Sequence, residues 1–178
     1  MDTISIKEAL RQLVGHMDIP YYVCAADTAP KIYKFPTIVI QNSDPIDRPG
    51  EHWLAWWVVS DLRCEFFDSF GLPYVEYPHL DFPIKYIVQD NTKQLQSNES
   101  NYCGIWSVRF AHDKTKGLTF HHFMNQWTSL QKEINDRIIL KWFMRNTTMF
   151  PPQKVYDSCK NQTCISYDEF KKRRNCCN

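Results

Sequence analysis

Cys103 stands where a cysteine nucleophile would have to stand. Residues 96–102 are polar and turn-prone, and after Cys103 the apolar residues Ile105, Val108 and Ala111 recur at helical spacing. The thiol therefore lies at the start of a predicted helix, where unpaired N–H groups and the positive end of the helix dipole favour an anion. Because most lone cysteines are small buried hydrophobes, a catalytic role depends on suitable partners.

Three more polar residues could supply those partners. A thiol peptidase needs a base, a group that orients the base, and donors for the oxyanion. His52 begins one predicted strand and Asp68 ends the next, and the two ends of an antiparallel hairpin lie side by side. The carboxylate can then fix the imidazole tautomer. Gln96, seven residues before Cys103, can donate its amide to the oxyanion, together with the backbone N–H groups of Cys103 and Gly104.

Each of these residues also has an ordinary interpretation. A histidine at a strand start is often a surface residue, an aspartate before a serine often caps a turn, and a glutamine in a polar loop is usually solvated. Taken singly, His52, Asp68 and Gln96 could therefore each have such an ordinary role. Their occurrence in the order His, Asp, Gln, Cys favours catalysis.

The elements that would hold these residues predict an α+β fold. A capping box over residues 5–8 opens a first helix that ends near Gly15. Apolar and β-branched runs predict strands at 37–41, 53–59, 64–68 and 84–88, with 53–59 central and a turn at 60–63. Helices are predicted from Cys103, at 120–127 and at 129–145. The apolar face of the last helix comprises Ile134, Ile138, Ile139, Trp142 and Phe143.

The composition indicates one compact domain. The chain has 178 residues, 43% of them hydrophobic and 15% aromatic, and a net charge of +1, which excludes strong binding of a polyanion by the whole chain. Seven cysteines without an apolar signal region at the N-terminus predict reduced thiols in an intracellular protein that is not secreted. No uncharged apolar stretch approaches the ~18 residues of a membrane span, so we expect no membrane contact.

Pro151-Pro152 marks a predicted boundary between a domain at 1–150 and a tail at 151–178. The tail carries six Lys and Arg residues against three acids, and four of the seven cysteines. A solvated, disordered tail is one interpretation. Zinc binding by its cysteines is another, but their spacing lacks a paired CxxC, so we expect no metal. The cysteines concerned are Cys159, Cys164, Cys176 and Cys177.

The motifs around the candidate residues resemble those of the adenovirus-type endopeptidases, the adenain family. They are Gly50–Trp56, Phe66–Gly71, and Gln96 followed by Cys103-Gly104, in that family's order and spacing. The resemblance runs from Pro20 to the helix near residue 145. The wider clan includes the proteases that remove ubiquitin-like modifiers, which share the His, Asp, Gln, Cys order.

The resemblance implies a role for each residue. His52 would be the general base, Asp68 its orienting group, Gln96 the oxyanion donor and Cys103 the nucleophile. It also implies a rearranged papain-like fold, with a mixed sheet flanked by helices and the cysteine at the N-terminus of a central helix. Asp68 departs from the adenovirus motif, because adenovirus enzymes mostly have Glu at this position. The proteases for ubiquitin-like modifiers have Asp.

The resemblance further implies cleavage of viral, or viral-like element, precursor proteins during virion maturation, in the host nucleus and the virion. The family is activated by a short basic, cysteine-containing peptide and by DNA, although the chemistry requires no cofactor. The end of the tail has that peptide's composition, which suggests an activating strand in cis or a DNA-contacting arm. The residues concerned are Lys171, Lys172, Arg173, Arg174, Cys176 and Cys177.

Three functions therefore compete. The first is a monomeric cysteine endopeptidase that acts on capsid or core precursor proteins. The second uses the same chemistry on a ubiquitin-like modifier. The third is a non-enzymatic virion or DNA-binding protein that has kept the fold, against which the intact set of four candidate residues argues.

Overall fold

A computed structural model of the chain describes residues 1–81 and 87–149. These residues form an α+β fold in which helices flank a five-stranded mixed sheet. The helices are α1 (Thr3–Val14), α2 (Cys103–Thr115), α3 (Phe120–Asn125) and α4 (Lys132–Asn146), with a 3-10 helix at Tyr74–Glu76. The strands are β1 (Tyr21–Cys24), β2 (Thr37–Asn42), β3 (Trp53–Val58), β4 (Arg63–Phe67) and β5 (Ile87–Asp90).

The sheet follows the strand order β1-β2-β3-β4-β5, so the apolar strand β3 is central, as predicted. β3 pairs antiparallel with β2 and β4, whereas the outer pairs β1-β2 and β4-β5 are parallel. In the β3-β4 hairpin, Ala55 lies opposite Phe67. This register places the residues just before β3 beside those just after β4, and so confirms the predicted juxtaposition.

Alternate residues of the central strands face two separate apolar layers. Ala55 and Phe67 pack in one cluster with α1, α2 and α4, while Trp56 and Phe66 pack in a second cluster with Tyr77 and Leu80. Because both faces of the sheet are covered, the strands are apolar almost throughout and do not alternate with polar residues. The helix that begins at Cys103 lies against β3 within the first cluster.

Several predicted elements need correction. The first helix is capped by Asp2, whose side chain accepts a hydrogen bond from the Ser5 N–H at 2.7 Å, so it begins before the predicted capping box. β1 was not predicted, because a four-residue strand that pairs in parallel carries little pattern of its own. The last predicted strand is found at Ile87–Asp90, and its predicted first residues, 84–86, lie outside the described residues.

The predicted apolar face of α4 is wrong for two residues. Ile134 and Ile138 are 43% and 49% exposed, whereas Ile139 and Phe143 are buried as expected. The helix is rotated relative to the prediction because Asn135 and Asp136 point inward and bind the loop at 95–97. The Asn135 amide donates to the Leu95 carbonyl, and the Asp136 carboxylate accepts from the Ser97 N–H. Polar contacts with this loop thus override the hydrophobic pattern.

The predicted tail lies outside the described residues. This applies to the boundary at Pro151-Pro152, to the tail cysteines, and to the candidate peptide or DNA contacts at Lys171, Lys172, Arg173, Arg174, Cys176 and Cys177. Within the described residues, no helix has both the length and the apolar character needed to cross a membrane.

Candidate active site

The hairpin brings His52 and Asp68 into direct contact. His52 precedes β3 and Asp68 follows β4, and the Nε2 of His52 lies 2.6 Å from Oδ1 of Asp68. The imidazole also stacks on the ring of Phe70, with centroids 5.0 Å apart. Carboxylate and aromatic ring together fix the position of the imidazole. The carboxylate accepts from Nε2, so the other ring nitrogen, Nδ1, is left for a second partner.

The Asp68 carboxylate is fully buried and accepts hydrogen bonds from three donors besides His52. Oδ1 accepts from the Phe70 N–H at 2.9 Å, and Oδ2 accepts from the Leu72 N–H and the Tyr77 hydroxyl, both at 3.0 Å. A buried carboxylate that accepts several hydrogen bonds remains stable as an anion. Asp68 is therefore a rigid, negatively charged support for the imidazole.

The backbone of Asp68 is also held in place. Asn91, which directly follows β5, accepts from the Asp68 N–H at 2.9 Å and donates its Nδ2 to the Asp68 carbonyl at 2.7 Å. Asn91 is almost completely buried. This paired contact ties the end of β4 to the end of β5, so the aspartate does not depend on a flexible loop for its position.

Cys103 is the first residue of α2, as predicted, and its side chain interacts with that of His52 closely enough for each to shift the pKa of the other. The thiol is only 7% exposed. Because Nε2 of His52 is bound to Asp68, Nδ1 is the ring nitrogen that is left for an interaction with Cys103. The imidazole thus interacts with both the Asp68 carboxylate and the Cys103 side chain.

This contact shifts the pKa of both partners in opposite directions. Burial disfavours imidazolium, but the hydrogen bonds and negative charges of Asp68 and Cys103 outweigh it and raise the pKa of His52 to about 9. Burial likewise disfavours the thiolate, but the hydrogen bond and charge of His52, together with a backbone hydrogen bond from Trp53, lower the pKa of Cys103. Both shifts favour the thiolate and imidazolium forms of the two side chains.

Gln96 is completely buried and bridges the two sides of the site. Its Oε1 accepts from the Ser69 hydroxyl at 2.7 Å, and its Nε2 donates to the Ser100 carbonyl at 2.7 Å. Ser69 follows Asp68, and Ser100 lies three residues before Cys103. An amide nitrogen carries two hydrogens, so one remains to be donated to an oxyanion after Ser100 has accepted the other.

The backbone N–H groups of Cys103 and Gly104 lie in the first turn of α2, where N–H groups have no acceptor within the helix. Gly104 packs closely: a Cβ at this position would lie 3.1 Å from the Met1 Cβ and 3.4 Å from side-chain atoms of Ile6 and Trp53. The small residue lets the start of α2 approach α1 and β3 closely. Such N–H groups can complete an oxyanion site.

Sequence reasoning missed several residues that support this arrangement. Tyr77 and Asn91 bind Asp68, Ser69 binds Gln96, and Asp136 accepts from the Ser97 N–H and from the indole N–H of Trp106, both at 3.0 Å. Ser69 lies within the motif Phe66–Gly71, but its partner, Gln96, is 27 residues away. The others depend on contacts between elements distant in sequence, which no local pattern could reveal.

No metal cluster is present in residues 1–81 and 87–149: no three His, Cys, Asp or Glu side chains are grouped so that they could hold a metal ion. Two histidines outside the candidate site have other contacts. His112 lies 3.1 Å from Asp113 and packs against Trp142, and His121 contacts Asn125. These contacts make His112 a helix-packing residue and leave His121 at the surface.

Comparison of the chain with models of known protein families and with curated proteins found no match.

Proposed function

We propose that the protein is a cysteine endopeptidase of the adenovirus type. The observation that carries this proposal is the series Asp68, His52, Cys103, in which a buried carboxylate binds an imidazole and the imidazole interacts with a thiol of lowered pKa. An activated nucleophile, its base and an orienting group within hydrogen-bonding reach define a triad of this kind. A purely structural cysteine would not require this charged neighbour.

In the acylation step, the Cys103 thiolate attacks the carbonyl carbon of the scissile peptide bond. A carbon–sulfur bond forms and the carbonyl π electrons move to oxygen, where the Gln96 amide and the first N–H groups of α2 stabilise the negative charge. When the tetrahedral intermediate collapses, the carbon–nitrogen bond breaks and the His52 imidazolium donates its proton to the leaving amine. The product is a thioester on Cys103.

In the deacylation step, neutral His52 removes a proton from water. The oxygen attacks the thioester carbonyl, the same donors hold the second oxyanion, and the carbon–sulfur bond breaks. The acid is released, and the thiolate and imidazolium pair is restored. Asp68 remains an anion throughout and stabilises imidazolium whenever it forms.

The sheet and the helix that begins at Cys103 agree with a rearranged papain-like enzyme, and the motifs support the adenovirus type. On this proposal the substrates are capsid or core precursor proteins, cut near Gly-containing sequences during virion maturation in the host nucleus and the virion. The basic tail would act as an activating strand or a DNA-contacting arm in a monomeric enzyme.

Asp68 favours a second candidate function, the processing of ubiquitin-like modifiers. Proteases of that group use Asp where adenovirus enzymes mostly use Glu, and Asp68 contacts His52 at 2.6 Å in spite of its shorter side chain. The chemistry would be unchanged. Only the substrate would differ, so substrate assays must separate the two candidates.

Hydrolysis of two substrate sets tests the proposal. Gly-containing capsid-like peptides and modifiers with a Gly-Gly terminus should be offered to the wild type, to Cys103→Ala, and to Cys24→Ala as a matched control far along the chain from the nucleophile. We expect cleavage of the capsid-like peptides by the wild type and Cys24→Ala only. Exclusive cleavage of the modifiers would favour the second candidate, and cleavage of neither would support a non-enzymatic protein.

The same peptides should be assayed with and without DNA and a basic cysteine-containing peptide. We expect either addition to raise the rate, and removal of residues 170–178 to lower the rate or the DNA affinity. If that deletion leaves both quantities unchanged, the tail is neither an activating strand nor a DNA-contacting arm.

A further inference from the structure

Ser69 makes three hydrogen bonds to the segment that carries Gln96. Its hydroxyl donates to Gln96 Oε1 at 2.7 Å, and its carbonyl accepts from the N–H groups of Leu95 at 2.9 Å and of Gln96 at 3.0 Å. Ser69 is only 1% exposed. Both the backbone and the side chain of Gln96 are therefore fixed by this one residue.

The two ends of the Gln96 amide are not equivalent, and their surroundings permit one orientation. The Ser69 hydroxyl can donate to the amide oxygen, and the Ser100 carbonyl can only accept from the amide nitrogen. If the amide rotated by half a turn, its oxygen would face the Ser100 carbonyl oxygen, and two acceptors would be in contact. The Ser100 carbonyl thus selects the orientation in which Nε2 is the donor, and the Ser69 hydroxyl, which can donate or accept, holds Oε1 in that orientation.

We propose that Ser69 is a positioning residue for oxyanion stabilisation. It holds the Gln96 amide so that the second hydrogen of Nε2 is available to the oxyanion, and it does not itself touch the substrate. The assignment rests on the proposed function. Because Ser69 directly follows Asp68, one turn after β4 supports both the catalytic base and the oxyanion donor.

Steady-state kinetics on a cleaved capsid-like peptide tests this assignment. In Ser69→Ala we expect kcat to fall about 10-fold to 100-fold, with KM within about 2-fold of the wild type, because an oxyanion donor acts mainly in the transition state. The alkylation rate of Cys103 at pH 6 should be unchanged, since the contact between His52 and Cys103 is retained. In a Gln96→Ala background, Ser69→Ala should cause no further loss of kcat.

Thr37→Val provides a matched control. Thr37 is also buried and its hydroxyl donates to the Lys34 carbonyl, but it lies at the far end of β2 from His52, opposite Val58. This variant should keep the wild-type kcat. Ser69→Thr, which keeps the hydroxyl, should recover most of the activity. If Ser69→Ala does not fold, Ser69→Cys offers the same comparison, because a thiol fills similar space but donates weakly.

Two results would overturn the assignment while leaving the peptidase intact. One is a folded Ser69→Ala protein with kcat within about 2-fold of the wild type. The other is a loss of kcat that is equally large in the Gln96→Ala background. A wild-type protein that cleaves no peptide and shows no preferential alkylation of Cys103 would overturn the proposed function, and this assignment with it.

Discussion

The carboxylate of Asp68 and the imidazole of His52 meet at 2.6 Å because the β3-β4 hairpin brings its two ends together. The contact is buried at the carboxylate and only slightly exposed at the ring. Strand pairing, rather than a loop conformation, therefore sets the distance between imidazole and carboxylate.

Replacement of Asp68 by Asn should abolish most activity. An amide offers one acceptor oxygen where the carboxylate accepts from four donors, and it does not stabilise imidazolium by charge. We expect kcat/KM to fall by at least about 100-fold in peptide hydrolysis. Asp90→Asn is a matched control. Asp90 ends the neighbouring strand β5, and its carboxylate also accepts a backbone hydrogen bond, from the Tyr74 N–H at 2.9 Å. Equal losses in both variants would contradict the role of Asp68.

The pH dependence of stability should reveal the coupled pair. His52 has a raised pKa, so its contribution is fully present below its ordinary value of 6.5 and is lost as pH rises through about 9. Cys103 has a lowered pKa, so its contribution is present above its ordinary value of 9.0 and is lost as pH falls through the lowered value. Where the pH lies above both 6.5 and the lowered pKa of Cys103 but below about 9, the unfolded chain holds one proton on Cys103 and the folded chain holds one on His52.

The two contributions therefore largely cancel in this window in the wild type. In Cys103→Ala only the contribution of His52 remains, so the pH profile of the free energy of unfolding should differ from that of the wild type in this window, and the His52 pKa measured by NMR should fall below that of the wild type. Urea unfolding at several pH values provides the first measurement. Identical pH profiles for the wild type and Cys103→Ala, with an unchanged His52 pKa, would show that the two side chains are not coupled.

Gly71 should tolerate substitution worse than Gly117, although both have a positive φ, of 75° and 84°. A Cβ on Gly71 would lie 2.6 Å from the Gln94 nitrogen, whereas a Cβ on Gly117 has no neighbour within 4 Å. We expect Gly71→Ala to lower the free energy of unfolding by about 2 kcal/mol or more, and Gly117→Ala by about 1 kcal/mol. Urea unfolding checks both, and equal losses would argue against this packing.

Asp136 should stabilise the segment before Cys103. Its carboxylate accepts from the Ser97 N–H and the Trp106 indole, so Asp136→Ala leaves buried donors without an acceptor. We expect a loss of about 2 to 4 kcal/mol in the free energy of unfolding. Glu133→Ala, on the exposed side of the same helix, should change it by no more than about 0.5 kcal/mol. A loss for Asp136→Ala no greater than that of Glu133→Ala would contradict this role.

The sequence predicted the hairpin, the helix at Cys103 and the meeting of His52 with Asp68, because long apolar runs and a short turn specify these features locally. It did not predict β1, a strand of only four residues that pairs in parallel with the next strand, β2. It also misplaced the inner face of α4, where Asn135 and Asp136 bind a remote loop. Supporting residues such as Tyr77 and Asn91 are defined by tertiary contacts and carry no local signal.

The most direct test of the central claim is selective alkylation of Cys103 by iodoacetamide at pH 6, followed by peptide mass mapping. Cys24 and Cys64 are internal references, because burial raises the pKa of each thiol to about 12. We expect Cys103 to react first in the wild type, and this preference to disappear in His52→Ala, which lacks the imidazolium that stabilises the thiolate. Uniform slow labelling of all cysteines, unchanged in His52→Ala, would contradict the account.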